Sequence, residues 1–165
     1  MIKHVKKTTY KQRRDRIRKN LSSYKTIDPI TGKVKQKESK PEIRVKYILR
    51  SLGVLFEQEY KIRYLKSFKS YDFYCFKQGE YKLLVEIDGQ YWHAYDYQEG
   101  HVPLSKLSKL QRRNIRNDRK KDILAKKSGI KLLRFWEKDI KTRVGWVKKQ
   151  IVNEIEQQRN QNIIK

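Results

Sequence analysis

One stretch restricts the folds open to this chain more than any other: Leu83-Leu84-Val85-Glu86-Ile87-Asp88-Gly89-Gln90-Tyr91-Trp92-His93. Tyr81 to Asp88 has the length and apolar density of a strand at the centre of a sheet, yet it ends in two carboxylates. A glycine turn follows, then two aromatics and a histidine. Chemistry, if the chain performs any, is expected at this strand end.

The surrounding segments supply the rest of an α/β domain. Ser39-Lys40-Pro41-Glu42 is a helix-start signature, and Ile43, Tyr47, Ile48 and Leu52 follow at helical spacing until Gly53. Beyond Gly53 the period becomes two. Residues 55–62, Tyr71 to Phe76 and Tyr81 to Asp88 read as a meander of antiparallel strands, the last two joined at Lys77-Gln78-Gly79-Glu80. Pro103 to Ser128 reads as a long charged helix ended by Gly129, Ile130 to Trp136 as a further strand, and the stretch after Gly145 as an amphipathic helix using Val147, Ile151, Val152 and Ile155. The expected class is α/β, in the α+β sense, with a central mixed sheet of about four strands flanked by helices.

Residues 1–38 differ in kind. They are basic and poor in large apolar side chains, which predicts a flexible or partly helical arm with turns at Asp28-Pro29 and Thr31-Gly32. The expected organisation is this arm, a core over residues 39–140, and a C-terminal helix over residues 141–165. Across the whole chain 42 Lys and Arg face 18 Asp and Glu, a formal charge of +24. Such a surplus points to a polyanionic partner, nucleic acid before others. A lone cysteine, Cys75, excludes a disulfide framework or a multi-thiolate zinc site within one chain. No apolar run approaches the roughly 20 residues that cross a bilayer, and the basic start has no apolar h-region. A soluble cytoplasmic protein with no membrane partner is expected.

Three carboxylates are candidates for chemistry. Asp72, flanked by Tyr71, Phe73 and Tyr74, needs a cationic partner or a metal, and Glu86 and Asp88 end the neighbouring strand. Clustered at one sheet end, Asp72, Glu86 and Asp88 would suit Mg²⁺, a hard cation that takes oxygen ligands and bridges to phosphate. Surface salt bridges are the plainer reading. His93 is placed to accept a proton near neutral pH. Asp118 should face inward and steady it, with Asp122 as its rival. Glu42 either closes a capping box or joins the site.

The residues Tyr71-Asp72-Phe73, Val85 to His93, Asn114-Ile115-Arg116-Asn117-Asp118-Arg119 and Gly129 to Glu137 together resemble the very-short-patch repair (Vsr-like) endonucleases. They are also similar to the EDxHD homing endonucleases of the PD-(D/E)XK nuclease superfamily. The resemblance covers residues 39–140 and implies a restriction-endonuclease-like core. It implies catalytic roles for Glu42, Asp72, Asp88, His93 and Asp118, a metal contact from the Ile87 carbonyl, and Tyr91 and Trp92 as wedges between bases. It departs in lacking the repair enzymes' zinc site and the superfamily lysine after the second carboxylate, which favours a homing or phage-type enzyme in a bacterial or phage-infected cell.

The expected activity is hydrolysis of phosphodiester bonds in double-stranded DNA with Mg²⁺ or Mn²⁺ and without zinc, by a monomer or homodimer. Arg13, Arg14, Arg16 and Arg18 of the arm and Arg112, Arg113, Arg116 and Arg119 of the long helix would hold flanking phosphates. The competing readings are a catalytically inactive nucleic-acid-binding protein of the same fold and an RNA-binding accessory protein of ribosomal type.

Overall fold

The computed structural model describes residues 25–27, 34–36, 39–65 and 67–163. The chain divides into two compact units, residues 1–39 and 40–165. In the first, the described residues form two short strands, β1 (Lys25–Ile27) and β2 (Val34–Gln36), paired antiparallel with Lys25 opposite Gln36. These residues are therefore extended, where a flexible or partly helical arm was expected. Arg13, Arg14, Arg16 and Arg18 lie outside the described residues.

The second unit holds α1 (Lys40–Ser51), β3 (Phe56–Tyr64), β4 (Ser67–Lys77), β5 (Tyr81–Asp88), α2 (Tyr95–Gln98), α3 (Lys109–Lys127), β6 (Lys131–Trp136), α4 (Glu137–Thr142) and α5 (Val144–Ile163). The sheet order is β3-β4-β5-β6, antiparallel except for the parallel pair β5 and β6. A parallel pair needs a crossover, and α3 provides it. Helices cover both faces. On one, Val45, Ile48 and Leu49 of α1, Ile140 of α4 and Val147, Ile151 and Ile155 of α5 pack with Phe73, Cys75, Leu83 and Val85. On the other, Ala125 of α3 packs with Tyr71, Leu84, Ile130 and Leu132.

β5 is thus buried from both sides, which is why its sequence is nearly continuous in apolar residues instead of alternating. Each of its buried Leu and Val side chains contributes about 1.5–3 kcal/mol. The helix boundaries are set locally. At Gly53 and Gly129, with φ of +66° and +64°, the chain enters the left-handed region that glycine adopts without strain. Val54 N–H then reaches the Leu49 carbonyl at 3.0 Å and Ile130 N–H the Ala125 carbonyl at 3.1 Å. The long helix predicted from Pro103 begins later. A single 3-10 turn covers Leu104–Lys106, and Ser108 then caps α3 reciprocally with Gln111. Among the described residues no helix is long and apolar enough to cross a membrane.

Candidate active site

The site forms where two strands part. β4 and β5 pair from Lys77 opposite Tyr81 to Phe73 opposite Val85, and there the ladder stops. One position further on, side chains replace it. Asp72 N–H donates to Glu86 Oε1 at 3.1 Å, and Ile87 N–H donates to Asp72 Oδ2 at 2.7 Å. Phe73 belongs to one core and Tyr71 to the other, so β4 turns over at Asp72. In β3, Glu59 takes a φ of +52° at the corresponding place.

This geometry sets the carboxyls of Asp72 and Glu86 close together in a buried place. Burial, and then the adjacent Glu86, raise its carboxyl to about 7, against the Ile87 hydrogen bond and Lys121, which pull it down. Glu42, half-buried in the first turn of α1, adds a smaller upward push. Glu86 is also raised, by burial first, with Lys121 and Arg134 acting against that rise.

Two cations not singled out from the sequence organise the remaining carboxylates. Lys121 Nζ donates to Glu86 Oε2 at 2.6 Å and lies 5.5 Å from the centre of the Tyr71 ring, whose hydroxyl donates to the Lys121 carbonyl at 2.8 Å. Arg134 faces Glu86 directly across the parallel pair. Its Nη1 donates to both oxygens of Asp88 at 2.9 Å, and its Nε to Asp122 Oδ1 at 2.9 Å. Burial alone would lower its proton affinity, yet Asp88, Glu86 and Asp122 together raise it above the usual arginine range.

The expected three-carboxylate metal cage of Asp72, Glu86 and Asp88 is not formed among the described residues. The reason is that β6 and α3 bring a guanidinium and an ammonium to Glu86 and Asp88, leaving Asp72 without a cation in hydrogen-bond contact among those residues. Asp122 turns to Arg134 and does not reach His93. Arg134 carried a legible signal, a charge between the apolar Leu133 and Phe135. Lys121 sits in a run of cations and carried none.

His93 is held by its backbone. After Gly89 the chain turns back so that His93 N–H donates to the Gly89 carbonyl at 3.0 Å. Three consecutive carbonyls are then fastened by carboxamides: Tyr91 by Gln111 Nε2 at 2.8 Å, Trp92 by Asn114 Nδ2 at 2.9 Å and His93 by Gln98 Nε2 at 2.8 Å. Gln111, Asn114 and Asp118 share one face of α3, because they are spaced three and four apart. Asp118 Oδ2 lies 2.8 Å from His93 Nδ1, and Asp88 Oδ1 3.4 Å from it.

An ionised carboxylate only accepts, so the proton sits on Nδ1, and Nε2 has no hydrogen-bond partner among the described residues. Burial pulls the imidazole pKa down, but the Asp118 hydrogen bond and the charges of Asp88 and Asp118 outweigh it, and the net shift is upward. A stronger base with a free nitrogen results. Tyr91 and Trp92 stand edge to face beside it, 64% and 54% exposed. Arg113, Arg116 and Arg119 point to solvent on α3, whereas Arg112 is spent locally on the carbonyls of Leu107 and Ser105.

Two curated proteins are similar to this chain. A type II nicking enzyme of Neisseria meningitidis serogroup A, V.NmeAIP, is 30% identical over 122 residues, 67% of this chain and 76% of the relative. The chain belongs to the type II nicking-enzyme family. A second family member, V.NmeDIP of Neisseria meningitidis serogroup C, is 31% identical over 115 residues, 64% of this chain and 70% of its own length. Among solved structures, the catalytic domain of the homing endonuclease I-Bth0305I overlaps 69% of this chain and 91% of that domain, with 20% identity and a TM-score of 0.45. No family model matches the sequence.

Proposed function

We propose that this nicking-enzyme relative is a divalent-metal-dependent endodeoxyribonuclease that cuts one strand of double-stranded DNA, leaving 5′-phosphate and 3′-hydroxyl ends. The observation that carries the reading is the pairing of His93 Nδ1 with Asp118 Oδ2 at 2.8 Å. A base oriented by a carboxylate through Nδ1, with Nε2 open, is built to take a proton from water. The carboxyl of Asp72, where β4 parts from β5, is held up to about 7 by burial and Glu86.

The donors fit a hard cation. Asp72 offers an oxygen with excess negative charge around it, and Mg²⁺ or Mn²⁺ is commonly held by one or two carboxylates together with carbonyls, waters and substrate phosphate. Asp72 with the Ile87 carbonyl would hold the ion. Bound there, it would supply Lewis-acid polarisation of the scissile phosphate and stabilise the departing oxygen. Lys121 and Arg134 neutralise Glu86 and Asp88, so the sheet end is not so acidic that a phosphate is repelled. His93 accepts the water proton at Nε2, and Asp118 stabilises the resulting imidazolium through Nδ1.

A test uses supercoiled plasmid. The purified chain should convert it to open circles with Mg²⁺ or Mn²⁺ and not with EDTA, and His93→Ala should slow that conversion by about 10²-fold or more. Wild-type protein that leaves plasmid intact with every divalent metal, or a His93→Ala variant that cuts at the wild-type rate, refutes the reading. One observation favours the competing case of a non-catalytic DNA-binding protein: Glu86 and Asp88 are both taken up in ion pairs. In that case Asp72→Asn would alter stability alone.

A further inference from the structure

β3 and β4 continue together well past the place where β5 leaves them. Their ladder runs on through Tyr60 opposite Tyr71, Lys61 opposite Ser70, Ile62 opposite Lys69, Arg63 opposite Phe68 and Tyr64 opposite Ser67, whereas β5 pairs with β4 no further than Phe73. At ~3.3 Å per residue, those pairs extend the ribbon by about 15 Å.

Its two faces differ. The inner one is anchored: Tyr60 and Ile62 pack with Tyr71 and Ala125, and Lys69 Nζ donates to Asn117 Oδ1 at 2.6 Å, one residue before Asp118. The outer one presents Lys61, Arg63, Phe68 and Ser70 to solvent, with Leu65 at the tip. Leu65 is 79% exposed and Phe68 63%. Neither Lys61 nor Arg63 makes an ion pair among the described residues, and the sequence has no acid between Glu59 and Asp72.

A two-stranded ribbon of this width enters the major groove, which is about 12 Å across. Cations along its side suit the phosphate walls, and apolar side chains at a tip suit base edges and steps. Two exposed apolar residues are too few for the core of a protein interface, which takes about 800 Å² per partner, and the acid-free flank would repel a second copy.

We propose that this ribbon is a groove finger that grips the duplex on one side of the cutting site. Lys61 and Arg63 contact phosphates, and Leu65 and Phe68 contact the bases beneath. The proposal rests on the endonuclease reading for its substrate, and the finger is held in register with the site through Lys69 and Asn117.

The test takes the full chain in EDTA and measures binding to a duplex of about 30 base pairs across a salt series, with hydroxyl-radical footprints. Lys61→Gln with Arg63→Gln should lower the log–log salt slope by about 1.8, two contacts at ~0.9 each, and weaken binding roughly tenfold or more near 0.1 M salt. Leu65→Ser with Phe68→Ser should keep the slope and erase one edge of the footprint. Circular dichroism checks that both variants are folded.

Unchanged slope and affinity in the first variant overturn the proposal. So does a footprint that the second leaves intact while its sedimentation changes, since the tip would then be a protein contact. Failure of the nuclease reading looks different: the wild type would bind and footprint the duplex without cutting it in Mg²⁺. A wild type that binds no duplex overturns both.

Discussion

Lys121→Met tests the electrostatic account of the site most directly. The substitution keeps an unbranched apolar stem against Tyr71 and removes only the ammonium that donates to Glu86 Oε2 at 2.6 Å. Glu86 is 3% exposed at its side chain and Lys121 19%, so the carboxylate cannot recover the lost partner from water. Breaking a buried pair from one side costs about 3–5 kcal/mol. Arg134 Nη1, 3.9 Å from the same oxygen, retains part of the attraction and puts the expectation at the lower end, about 3 kcal/mol.

For a chain of this length that corresponds to a fall in Tm of about 6–12 °C. The sign with pH follows from the direction of the shifts. Glu86 and Asp72 are already raised, and Lys121 lowers both, so its removal raises them further. The folded state then holds protons that the unfolded chain has released, and stability declines as pH rises from the ordinary carboxylate range through the raised values.

Thermal melts of wild type and variant, compared near pH 5 and pH 7.5, should therefore show the larger gap at the higher pH. Adding Glu86→Gln should recover part of the loss, because the buried charge goes with it. An equal gap at both pH values, or a fall in Tm under about 3 °C at pH 7.5, would refute the assignment of Lys121 as the counter-ion of Glu86.

Two further outcomes follow from the histidine. Asp118→Asn removes the charge that holds the imidazole pKa up, so burial and Arg134 prevail, and the acid limb of the rate profile should move to lower pH. The plateau should fall by about 10²-fold, the smaller end of the usual range because Asp88 lies 3.4 Å from the same nitrogen. A limb that stays in place would separate Asp118 from His93. Gln111→Ala with Asn114→Ala frees the carbonyls of Tyr91 and Trp92 and should lower kcat more than it raises KM in plasmid nicking, with a modest fall in Tm because Gln111 also closes the capping box of α3. Wild-type kinetics in that double variant would show that the loop needs no fastening.

Much of the fold and part of the site lie in local pattern. The alternation after Gly53, the helix stops at Gly53 and Gly129 and the doubly buried strand at Leu83 to Val85 can be read along the chain, because spacing of two or of three and four places side chains on definite faces. The same spacing brings Asp118 to the inner face of α3, where it meets His93. Tertiary structure alone decided which charges meet. Arg134 reaches Glu86 and Asp88 only because the α3 crossover lays β6 parallel to β5 in one register, with Glu86 opposite Arg134. Lys121, one cation among several in its helix, is selected by the packing of α3 over Tyr71. The parting of β4 from β5 at Asp72 likewise has no local signature. Periodicity along a chain assigns residues to faces, but the pairing of distant segments determines which residues on those faces touch, and in this site those contacts set the charge.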